Sequence, residues 1–235
     1  MTSLFPDLKE GAAEKLSFPA GEHIGEPLLV ESGSRSVRIS LSEGARLHLC
    51  TFVLSGEGSA QLSLEVELAG PRASFELDGL FVASGRGSAS IDVNVRHLHP
   101  DTVSRQLVKG IATDEATGTF SGMVYVAPGA QRTDAVQQNR NLQLTDAAHI
   151  FTRPGLEIYA DDVKCSHGAT VGQLDAEALY YMRQRGISEE AARRMQLQGF
   201  AAEIIDRCPT EASVAGLAGA AESVRKTVSD RVLAL

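Results

Sequence analysis

Gln61–Leu68 reads QLSLEVEL, with its apolar residues at Leu62, Leu64, Val66 and Leu68. A period of two belongs to a strand with one buried face, because successive side chains on a pleated backbone point to opposite sides. A helix would need apolar spacings of three and four. The alternation recurs upstream. SVRISL (Ser36–Leu41) carries Val37, Ile39 and Leu41, and ARLHLCTFVL (Ala45–Leu54) carries Leu47 and Leu49, then Cys50, Phe52 and Leu54. Downstream, SFELDGLFV (Ser74–Val82) gives Phe75 and Leu77 before Gly79, and SIDVNVRHL (Ser90–Leu98) gives Ile91, Val93 and Val95. Turn-forming stretches such as GEGSA, AGPRA, ASGRGSA and APGAQ separate the runs. Between Leu28 and Val163 no stretch carries a helical period. Such a chain closes into a barrel or sandwich, or winds into a solenoid. The strand starts are unevenly spaced and no strict repeat is visible, so periodicity leaves both open.

After Gly172 the period becomes helical. Asp175 is placed to cap DAEALYYMRQR (Asp175–Arg185), with Glu177 in the first turn, Arg183 and Arg185 in the last, and Gly186 as the stop. Ser188 caps a second helix whose apolar stripe is Leu197, Phe200, Ala201, Ile204, Ile205 and Cys208, ended by Pro209. A third helix is predicted over about Ala212–Leu233, with Leu217, Ala221, Val224, Val228 and Val232 on one face. The resulting division is a flexible arm over 1–17, a β region over 18–172, and a helical subdomain over 173–235 that caps one end of the β region.

Composition bounds the function. The 235 residues are 43% hydrophobic and 22% charged, an ordinary globular balance. Tryptophan is absent and Gly numbers 22, so the core rests on Val, Leu, Ile and Ala in a turn-rich β architecture. The net charge of −8 argues against nucleic acid as a partner. No apolar run reaches the ~18 residues that span a bilayer, which argues against a membrane role. MTSLFPDLKEGAAEK has no basic segment followed by an apolar one, so a cytoplasmic location is expected. Cys50, Cys165 and Cys208 are odd in number, widely spaced and without a CxxC pair. They predict no disulfide framework and fit a reducing compartment, with Cys50 and Cys208 as core residues.

The segment KCSHGATVGQLD (Lys164–Asp175) follows the strand-like LEIYADDV (Leu156–Val163) and sets Cys165 and His167 two residues apart. On extended backbone the two face the same side. Their bases then stand too far apart for a direct Cys–His nucleophile pair, which needs about 3 Å, and suit a shared metal or sulfur species. Gly168, Ala169 and Gly172 read as a small-residue turn. Other candidates have plainer readings: Glu157, Asp161 and Asp162 as a solvated strand edge, and His97 with His99 as a surface pair at a strand end. GRGS (Gly85–Ser88) lacks the pattern of a phosphate loop.

LEIYADDVKCSHGATVGQLD (Leu156–Asp175) and the following EALYYMRQRGISEEAARRMQLQGFA (Glu177–Ala201) resemble the SufB/SufD core family of iron–sulfur cluster assembly proteins. FPAGEHIGEPLLVE (Phe18–Glu31) resembles the start of that core, and Cys-Ser-His-Gly-Ala-Thr is the form of the SufD branch. The resemblance spans about Phe18–Cys208 and is most specific from Leu156. It implies a right-handed parallel β-helix-like solenoid with a C-terminal helical cap. The family commonly carries a helical domain before this core, and residues 1–17 leave no room for one. The resemblance further implies a scaffold subunit rather than an enzyme. That subunit pairs with a SufB-like chain, docks a SufC-like ATPase on its helices, and holds no stably bound cofactor. His167, matching a metal-binding position, and Cys165 would then serve a transient iron–sulfur cluster at the partner interface. A homodimer is an option for the isolated chain. The competing classes are a β-helix carbohydrate-active enzyme, disfavoured by the lack of tryptophan, and a stand-alone metal-binding protein.

Overall fold

The computed structural model describes residues 14–24, 27–208 and 218–235. Two all-parallel sheets face each other. The first runs β1 (Glu14–Phe18), β4 (Gly33–Leu41), β6 (Ser59–Leu68), β8 (Ser88–His97), β10 (Thr117–Val126) and β12 (His149–Ile158) in spatial order. The second runs β13 (Val163–Gly172), β11 (Thr133–Gln143), β9 (Val103–Ala112), β7 (Ser74–Ala83), β5 (Ala45–Ser55) and β2 (Gly21–Ile24), with β3 (Leu28–Val30) also on β5. Apart from β2 and β3, which both pair with β5, consecutive strands alternate between the sheets, so the chain winds as a solenoid of about five turns. The solenoid alternative left open by periodicity is therefore the one adopted. Of the arm expected over 1–17, residues 14–17 instead belong to β1, paired with β4; the rest lies outside the described residues.

A repeat exists that the sequence pattern did not reveal. Ser59 sits opposite Ser88, and Ser88 opposite Thr117. Ion pairs join adjacent turns at separations of 29 residues for Arg96–Glu67 and 31 for Arg132–Asp101. One corner of each turn is set by a residue with positive φ: Gly44 at 67°, Arg72 at 60°, Asp101 at 61° and Arg132 at 58°. The backbone N–H of each donates to the carbonyl of the corresponding corner one turn on: Gly44 to Pro71, Arg72 to Pro100, Asp101 to Gln131 and Arg132 to Asp162. Only Gly adopts this conformation without strain. At the other corners the stacked hydrogen bonds and the Arg132–Asp101 and Arg72–Glu43 pairs hold it.

The inward faces form a continuous core that includes Leu49, Leu64, Phe75, Phe81, Val93 and Phe120. β5, β7 and β9 are buried on both faces along their second halves. Their outward residues Cys50, Phe52, Leu54, Leu80, Val82, Leu107 and Ile111 pack against Leu197, Ala201, Ile204, Ile205, Val228 and Val232. These come from α2 (Glu189–Ile205) and α3 (Ala218–Leu233), which follow α1 (Ala176–Gln184). The helices thus lie across the outer face of the second sheet and do not cap its end. The both-face apolar runs at Cys50–Leu54 and Leu80–Val82 are the reason. Ser188 and Asp175 cap as expected, Gly186 takes a φ of 83°, and residues 209–217 lie outside the description. Lys109, almost fully buried on the outward row, donates to the Phe200 carbonyl at 2.8 Å and pairs with Glu203, fixing α2 to the sheet. That pairing holds the Glu203 carboxyl below its usual range.

Cys50 and Cys208, 158 positions apart in sequence, form a disulfide with Cα atoms 5.8 Å apart. The expectation of no disulfide is overturned, while Cys50 and Cys208 both lie in the core as expected. Spacing along the chain cannot show that the tail of α2 lies over β5.

Among the described glycines Gly110 is the most closely enclosed. A Cβ there would fall 2.0 Å from Phe81 Cζ. Gly110→Ala should cost about 1–3 kcal/mol by overpacking, with part of the loss restored by Phe81→Leu in the same chain. Urea denaturation of the two single variants and the double variant measures this coupling. Simple additivity would show that the contact is not limiting.

Candidate functional site

The inward row of the second sheet changes character along the solenoid. On β5 and β7 it reads Leu47, Leu49, Thr51, Val53 and Phe75, Leu77, Gly79, Phe81. In register it continues as Ser104, Gln106, Val108, Gly110 on β9 and Ala135, Gln137, Asn139, Asn141 on β11, and ends as Cys165, His167, Ala169, Val171 on β13. Gln106, Gln137, Asn139 and Asn141 are all buried. Gln137 donates to Gln106 Oε1 at 3.0 Å, while Gln106 Nε2 and Gln137 Oε1 find no partner. Asn139 donates to the Val108 carbonyl at 3.0 Å, and Asn141 donates to Asn139 Oδ1 at 2.5 Å and to the Thr170 carbonyl at 3.0 Å. Unpaired buried amide atoms are costly, so this column departs from pure core packing.

His97 closes the column at its inner corner. It is fully buried, with Nδ1 2.8 Å from Thr102 Oγ1 and Nε2 2.9 Å from Ser104 Oγ. Thr102 gives its own proton to the His99 carbonyl, so Nδ1–H is the donor and Nε2 accepts from Ser104. Burial lowers the His97 pKa to about 4. The surface pair expected of His97 and His99 is therefore wrong for His97. The strand-end position that suggested exposure is where the last inward residue of β8 meets the first of β9.

Cys165 and His167 share the inward face of β13, opposite Ala135 and Gln137. The pair belongs to the strand itself: β13 continues through Gly168, Ala169 and Gly172, where a turn was expected. β13 and β12 are the last strands of their sheets, and among the described residues no further turn covers them. His167 is exposed and Cys165 half-buried. Burial pushes the Cys165 thiol up, a hydrogen bond with the Ala135 backbone works against this, and the charge of Asp134 adds to it. On the same last turn Phe151, Ile158 and Val171 are exposed, as is Tyr159 just after β12, which leaves apolar groups on both open edge strands. An uncovered parallel edge with apolar neighbours is a template for another chain. Pro154, in β12, is tolerated because that strand is an edge. NLQL (Asn141–Leu144) lies one turn back, mostly in β11.

The carboxylates expected at a solvated edge are there. Glu157, Asp161 and Asp162 are exposed, and Glu157 accepts from Tyr159 Oη at 2.5 Å, which raises the Tyr159 pKa. A second open surface is helical. α1 buries no residue and joins α2 by reciprocal hydrogen bonds between the Asp175 backbone and Gln196, both at 2.9 Å. Tyr180, Tyr181 and Met195 are exposed large apolar groups, beside exposed Arg193, Arg194 and Gln198. The sequence reading missed the buried amide column, whose only signal was Gln and Asn at the alternate positions of QQNRNLQ.

Residues 33–200 match the family described as "SUF system FeS cluster assembly, SufBD core domain". The chain is 42% identical over 134 residues to an iron–sulfur cluster assembly SufBD family protein of Synechocystis, covering 57% of this chain and 30% of that protein. It is 36% identical over 166 residues to the iron–sulfur cluster assembly protein SufD of Escherichia coli, covering 71% and 39%. It is 33% identical over 132 residues to the SufD of Bacillus subtilis, covering 55% and 30%. The chain thus spans well under half the length of these relatives.

The buried histidine gives a pH signature. Folded His97 stays neutral down to about pH 4, whereas the unfolded chain takes up its proton near pH 6.5. Its contribution to stability is full above pH 6.5 and drains as pH falls towards 4, by at most about 1.4 kcal/mol per pH unit. Urea unfolding at pH 7 and pH 5 should show the loss. His97→Gln should be less stable at pH 7 but flatter between the two. The same pH dependence in both proteins would assign the loss to other groups.

Proposed function

The chain belongs to the SufBD core family of the SUF iron–sulfur assembly system, and from that premise we propose that it is a scaffold subunit and not an enzyme. It pairs through the uncovered β12 and β13 edges with a SufB-like chain, in the cytoplasm. The observation that carries this reading is the coincidence, on one open turn, of two unpaired edges, an apolar rim and the soft ligands Cys165 and His167. A thiolate and an imidazole supply two of the four protein ligands that hold a cluster, whose sulfides complete the coordination of iron. The remaining protein ligands come from the facing chain, and the cluster is cargo that passes through the interface. Pairing of the same edges between two copies of this chain would give an isologous homodimer, an option for the isolated chain.

The surface formed by α1 and the exposed face of α2 is the proposed dock of a SufC-like ATPase. Tyr180, Tyr181 and Met195 offer apolar contact, and Arg193 and Arg194 offer charge. Arg194 already pairs with Glu190 at 2.8 Å, an exposed contact worth little on its own, so a partner can take it over cheaply.

Two sets of variants test the reading. His167→Ala should leave thermal melting and partner co-purification unchanged while cluster-dependent growth falls sharply. Cys165→Ser should have the same effect or a milder one. Normal growth with an intact His167→Ala complex rejects the ligand role. Reversing charge at Arg193 and Arg194 should weaken pull-down of the ATPase and spare pairing at the strand edges. Unchanged pull-down would place the dock elsewhere.

A further inference from the structure

The outward face of the second sheet carries a second cluster, outside the proposed interface. β5 presents His48 and Cys50, two residues apart. β7 sets Glu76 and Asp78 opposite them in register. The tail of α2 lays Arg207 and Cys208 on top. His48 Nε2 donates to Asp78 Oδ2 at 2.9 Å and lies 3.9 Å from Cys50 Sγ. Ligand atoms of His48, Glu76 and Asp78 all fall within 4.8 Å of one another. The Asp78 side chain is 1% exposed and its other oxygen faces Arg207 at 3.4 Å. A cleft lined by Glu76, Asp78, Arg105, Arg140, Glu203 and Arg207 opens beside the cluster.

We propose that reduction of the Cys50–Cys208 disulfide makes this cluster a site for a borderline-soft divalent cation, with zinc as the type. Cys50 Sγ, Cys208 Sγ, His48 Nε2 and Asp78 Oδ2 are its four donors. In the oxidised chain the two sulfurs are bonded to each other and the site is shut. A dithiol reductant supplies two electrons and two protons and leaves as its own disulfide. The cation then replaces the two thiol protons, which pass to water. His48 carries its proton on Nδ1 in this state, which frees Nε2 to coordinate. Two thiolates, one carboxylate and a dication leave a single negative charge, faced by Arg207. A donor set of two sulfurs, one nitrogen and one oxygen is a zinc set. Around a tetrahedral zinc, nitrogen and oxygen donors stand roughly 3.3 Å apart and two thiolates roughly 3.7 Å apart. His48 and Asp78 already stand close to that spacing, and the sulfurs reach it once the disulfide opens. Glu76 remains at the rim, on the solvent side.

The test is zinc titration of the full chain against a chromophoric chelator. It is done in a Cys165→Ser, His167→Ala background so that the other soft pair does not contribute. The phosphine-reduced chain should bind one zinc, and the oxidised chain none. His48→Gln and Cys208→Ser should each weaken binding by about tenfold or more. Cobalt in place of zinc should give a thiolate charge-transfer band in the reduced chain alone. Circular dichroism checks the fold, and His48→Gln, at a part-exposed position, decides the matter if Cys208→Ser does not fold. A reduced chain that binds no zinc, or binds it equally well with and without His48, overturns the proposal.

Discussion

Parallel register holds each inward side chain directly over its counterpart one turn away, and each turn is therefore the cover of the one before it. Leu62 is buried because Ile91 lies on it, and Ile91 because Phe120 does. The dependence has an end. Among the described residues nothing stacks on β12 and β13, so Ile158 and Val171, at inward positions, are exposed although equivalent residues one turn back are not. The same geometry that builds the core without tryptophan thus leaves the turn of β12 and β13 uncovered among the described residues. Cys165 and His167 lie on it.

The outward face of the second sheet is a separate solution to a separate problem. A solenoid turn has two sides, and β5, β7 and β9 carry apolar residues on both over their second halves. That face needs a lid, which α2 and α3 supply. Lys109 is the clearest sign that the lid is specific. A lysine so deeply buried is tolerated only with its charge matched, and Glu203, the Phe200 carbonyl and the Phe200 ring 4.2 Å from its ammonium do so together. The cysteine pair ties the same helix tail to β5 a short way along the same face.

Much of this was legible in sequence, and the failures have physical causes. The period of two located the strands, and the shift to 3.6 after Gly172 located the helices, because burial on one face imposes those periods whatever the fold. Caps at Asp175 and Ser188 and the stop at Gly186 were readable because they are local. The repeat was hidden because what recurs is backbone conformation, not residue type: Gly44, Arg72, Asp101 and Arg132 share one corner and one sign of φ. In hindsight Ala45, Ala73, Thr102 and Thr133, each directly after the corner residue and each buried, were the signal. Pairings across the fold were not legible at all. The disulfide depends on where α2 lies, and the burial of His97 depends on Ser104 and Thr102 meeting it from the next strand. For the Cys165–His167 pair, spacing gave the shared face, and only the topology gave the open edge.

Burial alone does not make Cys165 a ligand. Desolvation raises its pKa, so in the single chain the thiol is held in its protonated form. Covering the last turn with another apolar surface would remove more water and push the thiol further the same way. An interface that only buried the residue would therefore silence it as a ligand. What reverses the sign is a nearby positive charge, and a bound metal ion is the strongest local one, able to deprotonate a coordinating thiol outright. On the proposed reading, pairing and cluster formation are accordingly coupled: the partner chain supplies the cover, and the iron supplies the charge that makes the covered thiol a donor.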